Sequence, residues 1–454
     1  MPSTRLRHLV DRDALGALLV AASVPFLFMH ERFQPEYDVE LGSTTADIRL
    51  SDVALLVVVA SAAVSAARNG ISRLSPARAI WIPGAALLAW LAFEVLRPVS
   101  MDDARFDDHL VSFLKLGEYA LLALALPLLV RRAEDLTIVL GAIVLWCTVA
   151  SGVALLQFLG LDIFDARSAG WRYPSFLGRH DLAALAALAT SLAAARVVVG
   201  RKRTPAAALF ASALVAGVLG MVLAGSVSAA AGLAVGGAVI SLAARGRYTP
   251  SLRQLLALAA VVAVVAGGVT AIRSEALDDF LQFVGIRDDQ QALGVESYSQ
   301  RTVLAYIGLR IFKDDPILGV GWQRSSRPEV FEPYVDDARR RFPDVDSLAF
   351  PAAGREWGVQ NLYIQMLADV GAIGLVLLLA LGTGGLVLAW RTAAHATNPW
   401  AAGAGLAVLC ALLTLAGEWA SLGIVPGIPL QAATCLLLGL AAAGAATVEE
   451  ETAG

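Results

Sequence analysis

Long apolar runs separated by short charged segments make up most of this chain. A helix needs roughly 17–25 mostly apolar residues to cross a bilayer. Twelve runs fit: 14–30, 52–67, 79–96, 110–130, 136–160, 181–199, 206–224, 229–244, 254–272, 362–390, 401–421 and 428–446. Several are rich in alanine and glycine, as at 183–195 and 229–244, which suits close helix packing in lipid. The pattern lapses over 273–358, where charged residues are dense. The expected fold class is an all-α polytopic membrane protein of about 12 transmembrane helices with one large extracytoplasmic loop between spans 9 and 10. The expected division is spans 1–9 in residues 1–272, the loop in 273–358, and spans 10–12 with a short cytoplasmic tail in 359–454.

Composition agrees. The chain has 454 residues, 57% hydrophobic and 16% charged, against about a quarter charged in soluble proteins. Its net charge of -4 argues against a nucleic-acid partner. Cys147, Cys410 and Cys435 all lie in apolar segments and are expected to be free thiols. Arg5, Arg7 and Arg12 precede the first apolar run as in a signal peptide, but no small-residue cleavage site follows Phe26-Leu27-Phe28, so an uncleaved first span is expected.

Charge asymmetry sets the orientation. With the N-terminus inside, the cytoplasmic segments hold Arg68, Arg73, Arg78, Arg131, Arg132, Arg196, Arg201, Lys202, Arg203, Arg245, Arg247, Arg253 and Arg391 besides the first three arginines. The short outer segments hold Arg32, Arg49, Arg97, Arg105, Arg167, Arg172 and Arg179, with most of the short-loop acid. The expected localisation is the cytoplasmic (inner) membrane, multi-pass, with both termini cytoplasmic. No repeat of two halves is visible, which weakens a transporter built from matched halves. No GxxxxGK[ST] phosphate loop appears, so energy for chemistry must arrive with the substrate.

The stretch from Glu296 to Leu375 holds the candidate chemistry. It contains SYSQRTVLAYIGLRIFKDDPILGVGWQ (297–323) and VQNLYIQMLADVGAIG (359–374). Four further stretches precede it: DIRLSDVALLVVV (47–59), LKLGEYALLALAL (114–126), YPSFLGRHDLAALAALA (173–189) and LAGSVSAAAGLAVG (223–236). In this order, and above all in the pair DDPILGVGW and NLYIQMLADVGAIG, they resemble the O-antigen ligase and polymerase superfamily. The resemblance runs from Asp47 to Leu379.

It implies a metal-independent glycosyltransferase with a GT-C-like bundle and no cofactor. The implied partners are the membrane lipid bilayer, an undecaprenyl-diphosphate-linked glycan donor and a glycan or lipid acceptor. Such a donor is pre-activated, so no nucleotide site is needed. Its pyrophosphate needs arginines or helix N-termini for charge neutralisation.

Arg301 matches the family's loop arginine, which implies a hold on the donor pyrophosphate; the plainer reading is a surface arginine paired with Glu296 or Asp314. Arg310, nine residues on, is about half a turn out of phase at ~100° per residue and reads as loop surface as readily as a substrate contact. Gly319-Val320-Gly321 reads as a turn, and Trp322 as either an interfacial anchor or a sugar platform. Arg179 and His180 sit where a short outer loop meets span six, as substrate contacts or solvated interface groups. Glu418 lies within span eleven near its outer end, where a carboxylate is costly unless paired or facing a wet cavity. It reads as a substrate contact or as an interhelical pair with Lys115 or an outer-loop arginine. Lys115 and Glu118 are expected to satisfy each other along their helix. The run Arg339-Arg340-Arg341 among aspartates reads as a solvated face.

Two positions depart from the family. Where the ligases carry His-Asn before the tenth span, this chain has Gln360-Asn361, with Asn361 a plausible N-cap. Where they carry Gly-Ser-Arg between spans seven and eight, it has Gly225-Ser226-Val227. A glutamine amide positions a hydroxyl but takes no proton near neutral pH. The expectation is transfer or polymerisation of a polyprenyl-diphosphate-linked glycan, with Arg301 and Gln360 as the catalytic pair and Asn361, Arg179, His180, Arg310 and Glu418 as substrate-binding residues. The alternatives are a transporter or flippase for a lipid-linked saccharide, or a non-catalytic member of the superfamily.

Overall fold

The computed structural model describes residues 14–41, 44–97, 106–164, 173–199, 205–247, 251–272, 297–424 and 429–453. Arg5, Arg7, Arg12, Arg105, Arg167, Arg172, Arg201, Lys202, Arg203 and Glu296 lie outside the described residues, as does the start of the large loop, 273–296. Every expected span coincides with a helix. In order these are α1 Leu15–Leu27, α2 Leu50–Asn69, α3 Arg78–Leu96, α4 Phe106–Leu129, α5 Ala133–Phe158, α6 Arg179–Val199, α7 Pro205–Ala224, α8 Val227–Arg247 and α9 Leu252–Ile272. The insert carries α10 Ser297–Asp314 and α11 Val335–Arg341, and the bundle resumes with α12 Leu362–His395, α13 Pro399–Trp419 and α14 Pro429–Ala453. Among the described residues, 8 helices are long and apolar enough to cross a membrane by length and composition, and Leu15–Leu27, Phe210–Ala224 and Val227–Val239 are shorter apolar helices. The protein is an all-α polytopic membrane protein.

Local chemistry sets the helix ends. Asp135 accepts from the backbone N–H of Arg131 (3.1 Å) and Arg132 (3.0 Å), capping α5. Asn398 accepts from Trp400 N at 2.8 Å, ahead of a proline at the first turn of α13. Such caps satisfy amides that have no partner within the helix.

The middle of the bundle is α6, α13 and α14. In α13 and α14, 78% of the spanning window is buried, against 12% in α9. Their alanines let backbones approach, and polar side chains bond across the contact, as Ser191 Oγ does with Thr414 Oγ1 at 2.9 Å. Outer helices turn Leu56, Ile82, Val215 and Val376 outward, which hydrocarbon solvent favours.

Loop contacts sort into two ends. At one, Arg73 donates to the carbonyls of Pro127 (2.9 Å) and Val130 (3.2 Å) and pairs with Glu450, while Thr397 N donates to Glu451 at 2.7 Å. At the other, His30 N donates to Phe176 O (3.1 Å), Arg97 to Gly319 O (2.6 Å) and Trp322 Nε1 to Ser112 Oγ (3.2 Å). The insert sits at this second end.

Several expectations are corrected. The segment after α1 is an antiparallel ribbon, β1 Glu36–Leu41 against β2 Thr44–Arg49, in register from Glu36↔Arg49 to Leu41↔Thr44. Lys115 pairs with Glu118 at 3.9 Å as expected and also, more closely, with the buried Asp52 of α2 at 2.5 Å across the helix contact. Trp322 is neither anchor nor platform: it is buried, 1% exposed, and donates to Ser112. Span ten is broken at Gly371 (φ 68, ψ -171).

Candidate functional site

The break in α12 joins the two most specific motifs. Residues 316–321 lie along it and satisfy its loose backbone groups. Val320 N donates to Ala368 O (3.0 Å), Gly321 N to Asp369 O (2.7 Å), and Ala372 N to Pro316 O (2.9 Å). Trp90 of α3 donates to Val370 O at 3.0 Å. A Cβ on Gly371 would stand 2.0 Å from Ile317 O, and one on Gly319 (φ +73) 2.5 Å from the Asp369 carbonyl, so both positions require glycine. Asp369, fully buried, accepts from Ser325 N at 2.8 Å and ties the next turn down.

The insert above has its own core. On α10, Val303, Ile307 and Ile311 recur every fourth residue and pack with Phe331, Val335, Ala338 and Phe350. Its outer face carries the charges. Arg310 pairs with Asp337 at 3.0 Å, Tyr306 donates to Asp337 at 2.8 Å, and Tyr334 donates to Asp314 at 2.7 Å. The Tyr306 hydrogen bond, then Arg310 and Arg340, hold the Asp337 carboxyl below its usual range. Burial and the bond to Asp314 push Tyr334 up to about 12. Arg339 and Arg340 stand exposed beside Asp336 and Asp337, a solvated face.

The other face of α10 carries Arg301, whose Nε donates to Gln360 Oε1 at 2.9 Å. Asn361 caps α12 by accepting from Ile364 N (3.1 Å), and its Nδ2 donates to Ala420 O just past α13 (2.7 Å). Tyr363 donates to Ala416 O at 2.8 Å, and Gln365 accepts from Ile424 N at 2.6 Å. The N-terminus of α12 is thus fastened to the C-terminus of α13, where Glu418 lies.

Glu418 is fully buried. Ser226 Oγ donates to its Oε1 (3.4 Å) and Ser228 Oγ to its Oε2 (3.2 Å), while Ser421 Oγ donates to Ser228 Oγ (2.8 Å). Ser226 also caps α8, accepting from Ala229 N at 3.2 Å. Arg301 and Asp181 both lie within electrostatic reach of Glu418. Asp181, in the first turn of α6, accepts from the backbone of Leu430. The starts of α8 and α12 are therefore joined to the end of α13 at one carboxylate, with Arg301 of α10 and Asp181 of α6 within electrostatic reach.

Of the residues singled out in the sequence, Arg301, Gln360, Asn361 and Glu418 come together here. Arg310 stands on the opposite face of α10. Arg179 and His180 open α6 beside Asp181; the Arg179 side chain lies outside the described residues. Among the described residues Arg301 bonds to Gln360, whereas the plainer reading pairs it with Glu296, which lies outside the described residues, or Asp314; Glu418 accepts from two serines, with Arg301 within electrostatic reach. Sequence reasoning passed over Ser228, Ser421 and Tyr363; two serines one residue apart at 226 and 228, at a helix start, were the available signal.

Residues 212–379 match a family model described as O-antigen ligase. The match runs from α7 into α12 and contains Ser226, Ser228, Arg301, Gln360 and Asn361; Asp181 and Glu418 lie outside it. No curated protein matches the chain.

Proposed function

We propose, on the match of residues 212–379 to the O-antigen ligase family model, that this chain is a member of the O-antigen ligase superfamily and transfers or polymerises a polyprenyl-diphosphate-linked glycan at the outer face of the cytoplasmic membrane. The family match supports a membrane glycosyltransferase-like role in cell-surface polysaccharide synthesis; the donor and the reaction are our reading. The observation that carries it is the Arg301–Gln360 contact at 2.9 Å, set at the start of α12. An arginine fork and helix-start amides are what a diphosphate leaving group requires. Departure of the diphosphate leaves cation-like character at the sugar carbon, and the site's cation neutralises the leaving charge.

In this reading residues 1–272 and 359–454 form the membrane bundle and 273–358 the outer loop, with both termini cytoplasmic. The arginine distribution supports that orientation. So does the segregation of loop contacts into two ends, one of them rich in arginine.

The test is reconstitution of the full chain in liposomes with a polyprenyl-diphosphate-linked oligosaccharide and a hydroxyl acceptor. Transfer or lengthening of the glycan that depends on Arg301 is the expected result. Movement of the lipid between leaflets with no bond broken would identify a transporter. Donor binding without turnover would identify a non-catalytic member.

A further inference from the structure

Attack by an acceptor hydroxyl releases a proton, and the groups nearest Arg301 leave few places for it to go. Gln360 takes no proton near neutral pH, and neither does Asn361. The arginine itself stays charged. Glu418 is a carboxylate within electrostatic reach of Arg301 that hydroxyls connect to the half-buried Ser421. A buried ionisable group in a spanning helix is expensive to keep unless something uses it.

That connection is a row of hydroxyls. Ser421, half-buried just past α13, donates to Ser228 Oγ at 2.8 Å, and Ser228 donates to Glu418 Oε2 at 3.2 Å. With Ser421 donating to Ser228 rather than to the Glu418 carbonyl 3.1 Å away, and Ser228 donating to the carboxylate rather than to Ser226 Oγ at 3.0 Å, both hydroxyls point toward Glu418, the alignment a proton shift requires. Ser226 holds the second carboxylate oxygen at 3.4 Å, so the group is fixed at both ends. The elements packed around it bring Arg301 from α10 and Asp181 from α6 as charged groups, the two serines from α8, and the Tyr363 hydroxyl bonded at Ala416 from α12.

We propose that Glu418 is the proton acceptor of the transfer reaction, reached through Ser421 and Ser228. This rests on the glycosyl-transfer reading above. The acceptor oxygen forms its bond to the anomeric carbon as the bond from that carbon to the diphosphate oxygen breaks, and the diphosphate keeps the electron pair. The acceptor hydroxyl gives its proton to Ser421, Ser421 passes its own to Ser228, and Ser228 passes its own to Glu418. Glu418 returns a proton to water or to the departed diphosphate before the next turnover.

The experiment uses the full chain in proteoliposomes with a polyprenyl-diphosphate-linked oligosaccharide, rates being read across pH 5–9. Glu418→Gln keeps the shape, accepts from one serine through its oxygen while its NH2 faces the other, and takes no proton. It should lower the maximal rate about 10²-fold, leave the apparent donor affinity unchanged, and remove the fall in rate on the acid side. Ser228→Ala and Ser421→Ala should each lower the rate while keeping that acid limb, because the carboxylate remains. Should Glu418→Gln fail to fold, the serine variants with the infrared carboxyl C=O stretch of the wild type, followed against pH, carry the same test. Wild-type turnover with an unchanged rate and acid limb in Glu418→Gln overturns the relay and leaves the transferase reading standing. No wild-type transfer from any lipid-linked donor overturns both.

Discussion

The Nε–H of Arg301 donates to Gln360 Oε1 at 2.9 Å, bridging the first turns of α10 and the residue before the cap of α12. The glutamine orients the guanidinium, and this separates the two residues in effect. Arg301→Ala should lower transfer by about 10²–10³-fold, the usual loss for one electrostatic contact to a developing anion. Arg301→Lys should restore only part, since a point charge replaces a planar fork. Gln360→Ala should cost no more than about tenfold, or 1.4 kcal/mol, because the arginine loses one hydrogen bond but keeps its charge. Product formed per unit of membrane protein decides; equal losses in Gln360→Ala and Arg301→Ala would refute this ordering.

The break in α12 should be the least mutable part of the site. Gly371 sits at φ 68, ψ -171, a region open almost only to glycine, and its missing Cβ leaves room for the Ile317 carbonyl. Gly371→Ala should lower the thermal midpoint in detergent and loosen the insert. The strain alone is worth about 1–3 kcal/mol, and the clash adds to it. An unchanged midpoint would mean that the two motifs do not depend on their backbone pairing.

How much of this was legible in the sequence depends on how local each signal is. The spans were readable because hydrocarbon demands uninterrupted apolar runs. The face assignment of Arg310 followed from helical phase, and Asn361 from its place before an apolar run. Arg301 and Gln360 could each be picked out, but 59 residues separate them and only the folded insert makes them partners. Glu418 drew notice as an intramembrane acid, whereas its serines on α8 belong to a distant segment. Trp322 failed because a tryptophan flanking a span looks the same whether it meets headgroups or Ser112. Lys115 was matched to Glu118, but its closer partner Asp52 was missed because it lies on another helix. The ribbon left a readable trace in the Gly42-Ser43 spacer between alternating segments, and this trace was passed over. Gly371 resembled any other small residue in a spanning helix.

Orientation is open to labelling. A cysteine at Asp336, exposed on α11, should react with a membrane-impermeant thiol reagent in intact cells. One at His395, at the opposite end of the bundle, should react only after lysis. Cys147 and Cys410 are buried, and the partly buried Cys435 is replaced by alanine in the background chain. Labelling of position 395 in intact cells would invert the proposed topology.

The outer face of the insert should soften in acid and in strong base for one reason. Hydrogen bonding from Tyr306, with Arg310 and Arg340, lowers the folded pKa of Asp337. A depressed carboxyl stabilises above its unfolded value, near ~3.9, and that contribution is lost as pH falls through the folded value. The same bond raises the Tyr306 phenol, so its contribution is present below ~10 and is lost as pH rises through the folded value. Hydrogen exchange across α11, corrected for the intrinsic effect of pH, should show protection highest between these limits. Asp337→Asn should remove the acid-side loss; if that loss persists, its source is another carboxylate.

The last prediction concerns Glu94 and Arg97, which anchor the Gly319 turn to α3. Glu94 is fully buried and bonded to Arg97, whose Nε and Nη2 reach its Oε2 at 2.9 and 2.8 Å. Arg97 is partly exposed and also donates to Gly319 O at 2.6 Å. The two ends of this pair are therefore unequal. Arg97→Ala leaves a buried carboxylate with no compensating charge and frees the turn, a loss of about 3–5 kcal/mol. Glu94→Gln leaves an arginine that still reaches solvent and still holds Gly319, so it should cost much less. The double variant removes the stranded charge and should be more stable than Arg97→Ala alone, a departure from additivity that a double-mutant cycle reads directly. Thermal midpoints of the four proteins in one detergent supply the cycle. If the double variant were the least stable of the four, with the two losses simply adding, then Glu94 would not be a charge that Arg97 compensates, and the link from α3 to the motif turn would rest on the Gly319 hydrogen bond alone.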